Sequence, residues 1–90
     1  NKKIYCDILI LDKNIIVECN GDYWHCNPQI FSENYYHTKI HKFAHEIWEN
    51  DKVRNELIQT LGYKIITIWE YDWNNDINFF NNLKQLIESI

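Results

Sequence analysis

Residues 4–11, Ile-Tyr-Cys-Asp-Ile-Leu-Ile-Leu, and residues 14–20, Asn-Ile-Ile-Val-Glu-Cys-Asn, decide how this chain folds. Both runs are of strand length and rich in the branched and aliphatic side chains that suit a pleated surface. The Asp12-Lys13-Asn14 link is short enough to join them as an antiparallel hairpin. Each run is apolar on both faces, broken only by Asp7, Glu18 and Asn20. Strands of that kind lie in the middle of a sheet covered by helices. A carboxylate in that setting is costly unless it is paired or holds a metal. A turn centred near residues 12–13 sets Asp7 and Glu18 opposite one another, their side chains about 5 Å apart across the ladder.

Outward from the hairpin, Gly21 ends the second strand, and residues 26–40 read as a loop around Asn27-Pro28. From 41 to 61 the period becomes helical. Ile40, Phe43, Ala44, Ile47, Ile58 and Leu61 form one stripe, and Gly62 sits where a C-terminal cap belongs. Residues 63–69, Tyr-Lys-Ile-Ile-Thr-Ile-Trp, are a third strand. Residues 75–90 are a weaker amphipathic helix with Ile77, Phe80, Leu83, Ile87 and Ile90 on one side. The order is hairpin, long helix, strand, helix, without repeats or low-complexity linkers.

Ninety residues make one small domain, which buries roughly 60–65% of its unfolded surface. With 46% hydrophobic residues, two Gly and one Pro, the composition excludes disorder. An apolar run near the spanning length is absent, as is a signal-peptide pattern, so a soluble, intracellular protein with no membrane partner is expected. Three Cys (Cys6, Cys19, Cys26) make an odd count, and reduced thiols are the simpler reading. The chain starts at Asn1 and has no Met, so it is expected to be a piece of a longer or processed protein. The formal charge of −4 argues against a stand-alone, tight DNA binder, because phosphate neutralisation dominates such affinity. It leaves room for a nuclease core, whose carboxylates are themselves negative.

Two converging carboxylates plus a strand carbonyl form a hard-oxygen site suited to Mg²⁺. Such an ion polarises a scissile phosphate and offsets charge in the in-line transition state. His25 lies just past the second strand, where a neutral imidazole could take a proton from the attacking water. The competing reading is that Asp7 and Glu18 are an accidental pair in a purely structural domain.

Asp7-Ile-Leu-Ile, followed by Ile16-Val-Glu-Cys-Asn-Gly-Asp-Tyr-Trp-His25, resembles the active-site block of the very short patch repair endonucleases, a branch of the PD-(D/E)xK superfamily. Asp51-Lys52-x-Arg54 with Leu61-Gly-Tyr-Lys-Ile-Ile-Thr-Ile-Trp-Glu70 is similar to the same family's helix–strand block, and related phage homing endonucleases carry strings like Glu18-Cys-Asn-Gly-Asp-Tyr-Trp-His-Cys-Asn-Pro28. The two blocks span residues 4–70. The resemblance implies that Asp7 binds the metal, that Cys19 offers its backbone carbonyl, and that His25 activates water. It also implies that Tyr23 and Trp24 insert into the DNA stack. Glu18 departs from the repair enzymes, which have an apolar residue there, and restores the superfamily's Asp…Glu-x-Lys pattern with Asn20 in the Lys place. Asn20 also stands where the repair enzymes have a second catalytic His, which puts leaving-group protonation and mismatch specificity in doubt. The family's zinc site does not carry over, since Asp22 occupies one of its Cys positions.

Other features carry two readings each. His37, His41 and His45 recur every four residues, as a solvated stripe on a helix face or as metal ligands. Asp51 and Arg54 are placed as an i, i+3 pair, or else Lys52 or Arg54 meets a phosphate. Tyr23 and Trp24 are core or DNA contacts, whereas Trp48, Trp69 and Trp73 are core or its rim. The expected fold is α/β, a restriction-endonuclease-like core with a mixed central sheet, a β-hairpin, flanking helices and no N-terminal core helix. The expected function is Mg²⁺-dependent hydrolysis of duplex DNA, with Mn²⁺ as a substitute, by a homing-type endonuclease domain assisted by an N-terminal segment, a DNA-binding domain or a second copy of itself. The rival is a catalytically degenerate module that binds DNA or protein. Of the named residues, Asp7, Glu18, Asn20 and His25 are assigned to catalysis, and Asp7, Glu18 and Cys19 to the metal. Tyr23, Trp24, Lys52 and Arg54 are assigned to DNA.

Overall fold

The structure, a computed structural model, describes residues 8–90. The first strand's opening residues, including Cys6 and the expected metal ligand Asp7, lie outside the described residues. Strand β1 (Ile8–Ile10) leads through a 3-10 turn at Leu11–Lys13 into β2 (Ile15–Asn20). Asn14 closes the turn in the left-handed region at φ 53°, a conformation that Asn tolerates better than most side chains. The antiparallel register pairs Ile8 with Val17 and Ile10 with Ile15. After a looped segment holding the two-residue strands β3 (Tyr36–His37) and β4 (Lys42–Phe43), helix α1 (Ala44–Thr60) crosses over to β5 (Lys64–Trp69). β5 lies parallel to β2, with Glu18 beside Thr67 and Asn20 beside Trp69. Two further helices, α2 (Glu70–Asn75) and α3 (Phe79–Glu88), complete the chain. The protein is thus mixed α/β, around a three-stranded mixed sheet of order β1-β2-β5.

Local chemistry accounts for the boundaries of α1. The Glu46 carboxylate accepts the Phe43 backbone N–H at 2.9 Å, satisfying one orphan donor of the first turn. At the other end the Gly62 N–H bonds the Gln59 carbonyl at 3.0 Å, with Gly62 at φ 98°, where a Cβ would be strained. Lys64 then donates its N–H to the Asn14 carbonyl at 2.8 Å, which starts β5 in register with β2.

The sheet separates two cores. On one face Ile15, Val17 and Ile68 are buried against Trp73, Phe79, Leu83 and Ile87 of α2 and α3. Beyond the C-terminal strand end, Cys26, Ala44 and Ile47 pack with Phe31, Tyr35, Ile40 and Trp48. Strand alternation points Glu18 and Asn20 to the opposite face from Val17, toward α1.

Three expectations need correction. β1 is an edge strand, and Ile8 and Leu9 are half exposed rather than covered. The expected 75–90 helix is shorter, α3 alone, and a separate helix, α2, precedes it; between them Asp76 is extended and accepts the Asn78 N–H on its side chain at 2.9 Å. The three histidines share no helix: His37 is in β3, His41 is in a turn at φ 63°, and His45 is in α1. They therefore do not line one helix face. Among the described residues, no helix is long and apolar enough to cross a membrane.

Candidate functional site

The C-terminal ends of β2 and β5 open onto the loop of residues 21–27, and this loop is tightly determined. His25 N–H bonds the Gly21 carbonyl at 3.1 Å, and Asn27 N–H bonds the Asp22 carbonyl at 2.9 Å. The Asp22 carboxylate accepts from Asn27 Nδ2 at 2.9 Å and from the Tyr71 N–H at 3.2 Å, while the Asp22 N–H donates to Glu70 at 3.1 Å. Asp22, read in the sequence only as a lost zinc-ligand position, therefore ties the loop to the first turn of α2. Cys26 turns the chain at φ 50°, and its carbonyl accepts the Trp48 indole N–H at 2.7 Å. Its buried thiol is pushed above the ordinary value of 9.0, first by burial and then by the nearby negative charge of Asp51. Cys19, by contrast, is disulfide-bonded, so the expectation of reduced thiols fails there.

Held by this loop, His25 reaches α1. Its Nδ1 lies 2.9 Å from Asp51 Oδ2, with both side chains about one-third exposed. A carboxylate acceptor on Nδ1 fixes the proton on that nitrogen and leaves the Nε2 lone pair available, the arrangement that a general base requires. The edge of Trp69 flanks the imidazole at 6.4 Å between ring centroids. One turn further along α1, Arg54 forms a two-pronged ion pair with Glu18, its Nη1 on one carboxylate oxygen and its Nη2 on the other at 3.1 Å. Glu18 is only 6% exposed, and the planar guanidinium provides the compensating charge that a buried carboxylate needs. Asp51 and Arg54 thus do not pair with each other; each reaches a separate partner, one in the 21–27 loop and one on β2.

The remaining predicted residues are distributed around this pair of contacts. Asn20 lines a groove of about 420 Å³ between α1 and the strand ends, together with Lys52, Trp48 and Trp69. A smaller cavity of about 220 Å³ contains His25 and Trp24. Asp51 lines both. Tyr23 and Trp24 are half-buried, packed edge to face at 5.1 Å and lying against the fully buried His37 at 4.2 and 5.4 Å. The His37 Nδ1 accepts the Ile40 N–H at 3.1 Å, and its Nε2 has no partner among the described residues.

Glu18 suits a hard cation by donor chemistry. A carboxylate offers about four lone-pair sites, and Arg54 takes one on each oxygen. No cluster of three His, Cys, Asp or Glu side chains occurs among the described residues, a set that excludes Asp7. The role of Asp51 was missed in the sequence because its partner lies 26 positions away. The available signal was that Asp51 and Arg54 interrupt an otherwise apolar helix stripe. No family model, curated protein or solved structure matches this chain.

Proposed function

We propose that this chain is a Mg²⁺-dependent endonuclease domain that hydrolyses phosphodiester bonds of duplex DNA, a restriction-endonuclease-like core of the homing type akin to the very short patch repair branch. The observation that carries the reading is the His25–Asp51 contact at 2.9 Å, at the rim of a groove on the sheet end that also presents Asn20 and Glu18's strand. In this reading Asp51 holds the imidazole through Nδ1, and His25 Nε2 removes a proton from the water that attacks phosphorus. The ion would be held by Glu18, the Cys19 carbonyl and Asp7, and would supply charge neutralisation at the phosphate. Asn20 carries no acidic proton, so protonation of the leaving oxygen falls to solvent. Tyr23, Trp24 and Lys52 are the proposed DNA contacts. Arg54, engaged by Glu18, acts first by holding that carboxylate in place.

A second reading, a nuclease-derived binding module that no longer cuts, draws support from the same ion pair. Both Glu18 oxygens already accept from Arg54, and Asn20 stands where the superfamily has a cation. Plasmid nicking in Mg²⁺ or Mn²⁺ separates the two. Metal-dependent conversion of supercoiled to nicked or linear plasmid, lost in His25→Ala, supports hydrolysis; binding without conversion supports the module.

A further inference from the structure

The 420 Å³ groove has features that hydrolysis does not use. Two of its walls are the indoles of Trp48 and Trp69, and Trp48 is fixed by its hydrogen bond to the Cys26 carbonyl. Its lining also includes Asn20, Asn55, Gln59 and Glu56. Among the described residues, none of these four side chains has a hydrogen-bond partner. Of the charged groups lining it, Asp51 is committed to His25, leaving Lys52 against Glu56. The groove thus combines two tryptophan side chains, carboxamide and carboxylate groups without hydrogen-bond partners among the described residues, and no net positive charge.

That combination does not suit a phosphate, which takes cations and clustered N–H donors. It suits a planar heterocycle that stacks on indole and donates from an amino group. Its volume falls in the usual range for small-molecule sites, about 300–1,000 Å³. We propose that the groove takes an unstacked nucleobase bearing an exocyclic amine (cytosine, adenine or guanine), with Trp48 and Trp69 on its faces and Glu56 accepting from its amino group. This rests on the nucleic-acid reading above and narrows its substrate to strands with an unpaired base near the cleaved bond. Asp51 lines the groove on one side and the His25 cavity on the other, so a nucleotide seated there presents its flanking phosphate toward the imidazole. Thymine, which lacks the exocyclic amine and offers Glu56 only a single N3–H flanked by two carbonyl acceptors, is the disfavoured base.

The test is fluorescence anisotropy of labelled deoxycytidine, deoxyadenosine and thymidine decamers with the full chain, in EDTA so that no cleavage occurs. The cytosine and adenine strands should bind about tenfold more tightly than the thymine strand, the equivalent of one charge-assisted hydrogen bond. Glu56→Gln should narrow the difference to about twofold, because the new amide can donate to a thymine carbonyl as well as accept. Glu56 is exposed, so the variant should keep the parent circular dichroism; Asn55→Ala provides an independent second variant, expected to weaken binding of the amine-bearing strands. Equal affinity for all three strands, or a preference that survives both substitutions, overturns the assignment. Base selectivity in EDTA without nicking in Mg²⁺ would keep this inference and remove the hydrolytic reading. Nicking without base selectivity would do the reverse.

Discussion

The two faces of the sheet are built from the same strands and do opposite things. The face against α2 and α3 is dry: Ile15, Val17 and Ile68 are buried among aromatic and aliphatic side chains, with no charged group in the cluster. The face against α1 holds a buried carboxylate, Glu18, whose charge is met by a half-exposed Arg54, and its far end holds His25 on Asp51. In β2 these roles alternate residue by residue, since Ile15 and Val17 point one way and Glu18 and Asn20 the other. Stability and chemistry are thereby separated by the pleat. A core substitution should cost stability and spare the site, while a substitution at His25 should do the opposite.

The largest effect should come from the polar face. Replacing one general base typically costs about 10²–10⁴-fold in rate. His25→Ala should therefore lower Mg²⁺-dependent nicking by that order while DNA affinity changes within a few-fold and the melting temperature hardly moves. Next is the dry face, where Ile15→Ala should destabilise by about 3 kcal/mol in urea titration, through lost burial and the residual cavity. At temperatures where the variant remains folded, its nicking rate should match the parent. Third, Arg54→Ala should cost about 2 kcal/mol, because it leaves the Glu18 carboxylate buried without its partner. Glu18→Gln in that background should recover part of the loss; no recovery would show that Arg54 acts through packing instead.

The smallest effect concerns Cys26. Burial and the Asp51 charge raise its thiol above the ordinary value in the folded state. A group raised on folding contributes stability that is complete below its unfolded pKa and is lost as pH rises through the folded value. Melting temperature should accordingly decline on the alkaline side of pH 9.0, and Cys26→Ala should flatten that decline slightly. An identical slope in the variant would show that folding does not raise the Cys26 thiol.

The hairpin, the helix over 44–60 and the strand over 64–69 were legible because each has its own period and its own punctuation. Asn14 and Gly62, the two turn residues that stop those elements, adopt positive φ as their side chains allow. The strand edge was not legible. Apolar alternation at Leu9 looks the same whether a helix covers it or solvent does, and Leu9 is half exposed. The histidine spacing misled because a period of four carries no information about the turn at His41 that breaks it. In the site, Glu18 and His25 stood out as polar residues in an apolar context, yet their partners Asp51 and Arg54 did not. At i, i+3 those two can pair on the helix surface. What prevents it is tertiary: a buried carboxylate on β2 and an imidazole in a pinned loop each offer a better contact.

The central claim is that His25 and Asp51 work as one unit on the polar face, and a double-mutant cycle on nicking rate tests it most directly. Groups acting together lose their function only once, so their losses do not add. Asp51→Asn alone should slow nicking by about 10–100-fold, the usual cost of losing the group that orients a functional histidine. Added to His25→Ala, it should slow nicking no further. Independent, additive losses, or a parent rate in either single variant that folds, would contradict the account.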